Sequence, residues 1–110
     1  MINQKKLSQI FYKVAQHITY QFNRYNRIFH PTKICLVGSR VRGTNTDSAD
    51  IDVAIQYKGE LKEDDVFNLL HKKPLIIDGL RVDYIPYNES KGNRIDNYTK
   101  QIVLFEDSSN

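Results

Sequence analysis

The sequence lacks the features that mark secreted and membrane proteins. Its 110 residues include one cysteine and no tryptophan, and no apolar run approaches the roughly 18 residues that span a bilayer. Cys35 therefore cannot form an internal disulfide, which is typical of proteins kept in a reducing cytoplasm. The N-terminal segment has no continuous apolar stretch of the kind found in signal peptides. We expect a cytoplasmic protein that does not contact a membrane.

Acidic side chains are absent from the first 46 residues, which carry eight lysines and arginines. Residues 47–110 carry eight basic and thirteen acidic side chains, so the net charge of +3 hides a strong asymmetry. Either the two segments interleave in the folded protein and their charges are solvated, or the first segment forms a basic face for an acidic or phosphate-rich partner. The sequence leaves both interpretations open.

The spacing of apolar residues predicts a single α+β (α/β) domain. The chain is long enough for one modest core and too short for two. In chain order, the predicted elements are a helix over 4–28, strands over 33–37 and 50–57, a helix over 61–72, a hairpin over 75–87 and a final helix, or helix with an extension, over 92–105. The hairpin turns at Asp78-Gly79, a dipeptide that type I′ turns favour. This order predicts a small mixed β-sheet flanked by helices, with an N-terminal amphipathic helix in residues 1–30 and the core in residues 33–105.

A loop with phosphate-binding features follows the first predicted strand. Gly38 lets a ligand approach the backbone closely, and Ser39 adds a hydroxyl at the start of a possible helical turn. Arg40 and Arg42 have the charge to neutralise phosphate oxygens. The loop is not a P-loop, because threonine and asparagine stand where that motif requires lysine and serine or threonine.

Two carboxylates, Asp50 and Asp52, open the second predicted strand. Alternate strand residues point to the same face, which places these side chains roughly 7 Å apart. Like charges at that distance repel each other unless a cation lies between them. Mg²⁺ takes oxygen ligands and shares them among carboxylates, phosphates and water, and two such ions can stabilise an in-line phosphoryl displacement. The pair therefore predicts a magnesium site beside the loop that begins at Gly38.

A third carboxylate is expected from the hairpin. Asp78 lies in its turn and is assigned to turn chemistry. Asp83 lies in mid-strand between apolar residues, where an acid is costly without a partner. A salt bridge to Arg81, two residues away on the same face, is the structural explanation. The functional explanation is that Asp83 binds the metal or accepts the proton of an attacking hydroxyl, and the upstream pair of aspartates favours it.

Together, the segments VGSRVRGTNTDSADIDVAI and RVDYI resemble the Gly-Ser loop, the Asp-x-Asp strand and the third aspartate of the nucleotidyltransferase superfamily related to DNA polymerase β. The short chain is similar in length to the minimal nucleotidyltransferases of that superfamily. The resemblance implies the polymerase β-like nucleotidyltransferase fold, with residues 33–105 as the catalytic core. The sequence departs from the family at Ala49, where many members have serine.

The resemblance also implies a role for each site residue. Gly38 and Ser39 would hold the nucleotide phosphates, with Arg40 and Arg42 supplying the positive charge of the loop. The residues that would act in catalysis and bind two Mg²⁺ ions are Asp50, Asp52 and Asp83. The reaction would move a nucleoside monophosphate from ATP or another nucleoside triphosphate to a hydroxyl acceptor and release pyrophosphate.

The resemblance further implies a partner, because minimal members lack the extra domain that grips the acceptor. Many of them pair with an all-helical HEPN-type toxin and adenylylate one of its tyrosines, so we expect such a partner, a homo-oligomer, or both. Two alternatives stay open: a non-catalytic antitoxin that neutralises its partner by contact, and a transferase for small molecules of the aminoglycoside type. Specific binding to nucleic acid is not expected.

Overall fold

The computed structural model describes residues 3–38, 50–95 and 100–107. In chain order, these residues form α1 (Gln4–Arg24), β1 (His30–Val37), β2 (Ile51–Lys58), α2 (Glu63–His71), β3 (Ile76–Ile77), β4 (Leu80–Asn88), a 3₁₀ turn (Glu89–Lys91) and β5 (Ile102–Glu106). Neither helix in this part of the chain is long and apolar enough to cross a membrane.

The five strands form one mixed sheet in the order β3-β4-β2-β1-β5. β2 and β4 are parallel, whereas the other neighbouring pairs are antiparallel. A parallel pair needs a crossover connection, and α2 lies within the crossover between β2 and β4. The predicted fold class, an α+β domain with a small mixed sheet and flanking helices, is confirmed.

α1 begins where the sequence predicts but ends earlier. The side chain of Asn3 caps the helix by accepting a hydrogen bond from the backbone of Lys6 (2.8 Å). The helix ends at Arg24 rather than near residue 28, because Asn26 adopts a left-handed conformation (φ 55°). Asparagine tolerates that conformation better than most residues. The amide of Arg27 then donates back to the carbonyl of Phe22 (2.9 Å) and closes the helix end.

The main core lies between the sheet and the two helices. α1 contributes Ile10, Val14, Ile18 and Phe22, and these pack with the residues that β2 directs to the same face, Ile51, Val53, Ile55 and Tyr57. A smaller cluster on the opposite face contains Cys35, Val37, Ala54 and Ile95. Cys35 is fully buried there, as expected for a small apolar side chain.

The hairpin forms at the predicted position. Asp78 and Gly79 have φ values of 52° and 80°, the left-handed conformations that a type I′ turn requires at both central positions. Asp78 also forms an ion pair with Lys6 of α1. At this point, therefore, the basic first segment and the acidic second segment interleave.

The segment predicted over 92–105 as a helix, or a helix with an extension, is not helical at its end, in residues 102–105. They belong to β5, which pairs antiparallel with β1. The four consecutive apolar residues 102–105 are compatible with either structure, and the open edge of β1 supplies the hydrogen bonds that decide for a strand. Residues 96–99 of the predicted segment lie outside the described residues.

Candidate active site

The sheet brings the end of β1 and two of the predicted acids together. Val37, the last residue of β1, pairs with Asp52 of β2. On its other side Asp52 pairs with Asp83 of β4, in register across the parallel ladder. Neighbouring strands lie about 4.8 Å apart, so two carboxylates from distant parts of the sequence become side-by-side neighbours.

Gly38 lies against the carboxylate of Asp52. A Cβ atom at position 38 would overlap Oδ2 of Asp52 and would lie 3.1 Å from its Cγ. Gly38 also has a φ of +83°, in the region where side chains other than glycine are strained. Glycine at position 38 therefore leaves room for the Asp52 carboxylate beside the end of β1.

Asp50 lies within the described residues, whereas the loop residues predicted after Gly38 do not. Asp50 is exposed and immediately precedes β2, two residues before Asp52. Ser39, Arg40 and Arg42 lie outside the described residues, and so does Ala49. The structure thus brings Gly38, Asp52 and Asp83 together and places Asp50 at the adjoining strand end, and the assignment of all seven site residues remains a prediction.

Asp83 has a different partner from the one that its sequence neighbours suggest. Its Oδ1 lies 3.2 Å from Nε2 of His71, at the C-terminal end of α2. Arg81, the partner considered from sequence, has an exposed position on β4. The Asp83 side chain is 43% exposed and His71 is 21% exposed, so the carboxylate is held on one side and open on another.

Comparison with known proteins identifies the family. The family model described as "Nucleotidyltransferase domain" matches residues 20–106. The chain belongs to this family. It is therefore a transferase of the nucleotidyltransferase class by descent, as its motifs indicated.

One solved structure supports the fold assignment of this nucleotidyltransferase domain. A crystal structure of a protein from Sulfolobus solfataricus, described as a candidate nucleotidyltransferase, matches with a TM-score of 0.56 and 23% sequence identity. The match covers 90% of this chain and 84% of the other. No curated protein sequence matches the chain.

A nucleotidyltransferase normally works with a divalent metal, and the residues present fit one in part. Within residues 3–38, 50–95 and 100–107, no three histidine, cysteine, aspartate or glutamate side chains are grouped so as to hold an ion by themselves. Mg²⁺, however, is usually bound by one or two carboxylates together with substrate phosphates and water. Asp52 and Asp83 supply such a carboxylate pair, so the donor chemistry fits an ion that arrives with the nucleotide.

His17 of α1 holds the strand that carries Asp83 through a hydrogen bond with Tyr84. Its Nε2 donates to the carbonyl of Lys73 (2.6 Å), which leaves Nδ1 to accept from the hydroxyl of Tyr84 (2.8 Å). Burial lowers the pKa of His17, and the nearby His71 and Lys73 lower it further against the opposing effect of the hydrogen bond to Lys73. Burial also raises the pKa of Tyr84 well above its ordinary value. Both side chains therefore stay neutral and hold β4 against α1.

Sequence reasoning missed both histidines. His17 lies on the edge of the apolar stripe of α1, and His71 lies at the end of an ordinary amphipathic helix. No local pattern distinguishes either of them from a surface histidine. Their contacts depend on how the helices pack against β4, which the sequence pattern does not specify.

Proposed function

We propose that this nucleotidyltransferase domain moves AMP from ATP to a hydroxyl acceptor in a Mg²⁺-dependent reaction. The observation that carries the proposal is the position of Asp52, in register with Asp83 on one side and against Gly38 on the other. Like charges directly opposite each other in a sheet repel, and a cation between the two carboxylates would offset that repulsion. The arrangement suits a site for a cation and a phosphate.

Each residue has a proposed role. Gly38 admits the triphosphate to the backbone at the end of β1, and Ser39 with Arg40 and Arg42 binds its phosphates. Asp50, Asp52 and Asp83 hold the divalent ions, and Asp83 accepts the proton of the attacking hydroxyl. When bound, the ions would neutralise the charge that develops on the phosphate oxygens.

The proposed acceptor is a tyrosine of a helical HEPN-type toxin, which would make this chain the antitoxin of the pair. The described residues form one sheet and two helices and leave the Asp83 carboxylate partly exposed, where the hydroxyl of a partner could reach it. A protein partner that presents its own hydroxyl removes the need for an acceptor domain. Self-association is the other way to complete the site.

The direct test is to incubate the protein with Mg²⁺, the product of its neighbouring gene, and ATP labelled on either the α- or the γ-phosphate. We expect label from the α-phosphate on the partner, no label from the γ-phosphate, and release of pyrophosphate. Asp52→Asn should lower the rate by at least about 100-fold, as expected for loss of a group that acts on the transition state. Asp64→Asn, an exposed acid in the first turn of α2, is the matched control and should not change it.

Three results would contradict parts of this proposal. Equal transfer by wild type and Asp52→Asn would place the active site elsewhere. Neutralisation of the toxin by a variant in which Asp50, Asp52 and Asp83 are all changed to asparagine would support inhibition by contact alone. Transfer to an aminoglycoside but not to a protein would identify a small-molecule enzyme.

A further inference from the structure

Among the described residues, the sheet ends in two edge strands that differ in length and composition. β3 forms one edge with only two residues, and Pro74 precedes it and Asp78 follows it. Very short edge strands, prolines, charged side chains and bulges keep a sheet edge from pairing with another chain. β5 forms the other edge with five residues, of which the first four are apolar. Apart from the extra residue Leu104, where the ladder with β1 shifts register, these four residues carry none of those protections.

Apolar side chains flank the β5 edge on both faces of the sheet. Val103 pairs with Cys35, whose side chain lies in the cluster on the face away from α1, and Val103 is 47% exposed. On the other face, the ring of Phe105 stacks on that of Phe11 with centroids 6.2 Å apart. An open groove beside these two rings is also lined by Ile34. A strand added to this edge would cover apolar surface on both faces, and such burial drives association.

The charges at the two ends of β5 favour pairing with an identical strand that runs in the opposite direction. Lys100 is exposed and lies two residues before the strand, and Glu106, which is also exposed, ends it. When two copies of β5 pair antiparallel, the basic end of each strand lies beside the acidic end of the other. Opposite charges across a strand pair are stabilising, whereas parallel pairing would bring like charges together. A second copy of the chain therefore complements this edge in polarity and in charge.

We propose that two copies of this chain associate by antiparallel pairing of β5 with β5, which joins their five-stranded sheets into one. The two copies are then related by a two-fold axis perpendicular to the joined sheet. Such an axis keeps both α1 helices on one face of the joined sheet and both Asp52 side chains on the other. The inference goes beyond the proposed function and does not depend on it, because the interface uses no residue of the candidate active site.

Two alternatives give a different oligomeric state. The edge of β5 is either hydrated in a monomer or covered by a strand from a different protein. In both cases the purified chain stays monomeric, because nothing in the solution supplies a second strand. The oligomeric state of the purified chain therefore separates both alternatives from the proposal.

The test is sedimentation velocity on the purified full chain, over concentrations from about 1 to 100 µM. We expect a monomer–dimer equilibrium. Val103→Lys should raise its dissociation constant at least about tenfold, because it places like charges in the strand pair and removes apolar contact. Ile76→Lys is the matched control. It adds the same charge to an isoleucine that is 52% exposed on the other edge strand, and it should dimerise like wild type.

Reversal of the terminal charges tests the direction of the pairing. Lys100→Glu and Glu106→Lys should each weaken the dimer about three- to tenfold, because like charges then meet at both ends of the strand pair. The double variant exchanges the two charges and should recover most of the wild-type affinity. Circular dichroism identifies any variant that does not fold, and the charge reversals decide the question if Val103→Lys is one of them.

A chain that is monomeric over the whole concentration range overturns the proposal and leaves the proposed nucleotidyl transfer unaffected. A dimer that Val103→Lys leaves unchanged, or that Ile76→Lys weakens to the same extent, also overturns it, because the interface then lies elsewhere. If the double charge reversal associates no better than the single variants, antiparallel pairing of β5 is wrong. The comparison of wild type with Asp52→Asn in the transfer assay tests the proposed function separately.

Discussion

The face of the sheet opposite the main core carries polar groups at both ends of β2, and the two ends differ in how those groups are paired. At the C-terminal end, the amide of Gln56 donates to Oε1 of Glu89 (2.8 Å) and accepts from the backbone of Ile95 (3.0 Å). Thr32 donates to the same Glu89 oxygen (2.9 Å). Hydrogen bonds from Gln56 and then Thr32 lower the pKa of Glu89. The side chains of Gln56, Thr32 and Glu89 are thus paired donor to acceptor.

At the N-terminal end, an acid lies next to an acid. Asp52 and Asp83 are in register on neighbouring strands, an arrangement that is unfavourable for the fold. The C-terminal end of β2 thus places donors beside acceptors, whereas the N-terminal end places two acids beside each other, as the proposed cation site requires. Sites of function are where such local conflicts are expected.

The largest effect is expected from Gly38→Ala, which fills the space beside Asp52. Displacement of its carboxylate should reduce transfer by at least about 100-fold, and the left-handed conformation should cost about 1–2 kcal/mol of stability. Gly79→Ala is a close control, because Gly79 has a φ of +80° and no atom near its missing Cβ. Its loss of stability in urea should be similar while transfer stays intact. Equal loss of transfer in both variants would contradict the role given to Gly38.

The second-largest effect is on stability, and it is expected to differ between the two ends of β2. Gln56 is 5% exposed, so Gln56→Leu should leave the buried amide of Ile95 without its acceptor, should remove one of the hydrogen bonds to Glu89, and should cost about 1–3 kcal/mol. Asp52→Asn should leave the free energy of unfolding unchanged or raise it by less than about 1 kcal/mol. Urea denaturation of the two variants measures both. A larger loss in Asp52→Asn than in Gln56→Leu would mean that Asp52 is mainly structural.

The smallest expected effect is a dependence of the free energy of unfolding on pH, and it comes from His17. Burial lowers the pKa of His17 in the folded protein, so the folded state takes up its proton less readily than the unfolded state, whose histidine pKa is about 6.5. The contribution of His17 to the free energy of unfolding is therefore fully present above the pKa of the unfolded state. It is lost as the pH falls through that pKa toward the lower pKa of the folded state. We expect the free energy of unfolding to fall on acidification from neutral pH, and to fall less in His17→Gln. The control His30→Gln should keep the slope of wild type.

Local features of the chain were predictable because the interactions that form them are local. Asn3 caps the helix through a residue three positions away, and Asp78 with Gly79 forms its turn from its own backbone preferences. The Asp-x-Asp motif and Gly38 identified the candidate site for the same reason. The end of α1 was missed because the sequence around Asn26 does not distinguish an asparagine that takes the left-handed conformation from one that continues a helix.

The sequence by itself determined the fold class, the amphipathic face of α1, the hairpin and the family. Periodicity, turn chemistry and motif spacing depend only on residues that are close together in the sequence. Only the tertiary structure decided that the last apolar segment is the strand β5, that Asp52 and Asp83 are neighbours, and that His71 meets Asp83 in place of Arg81. Each of these is a pairing between elements distant in sequence. Such pairings depend on strand register and helix packing, which are selected by burying the whole core at once rather than by any local pattern.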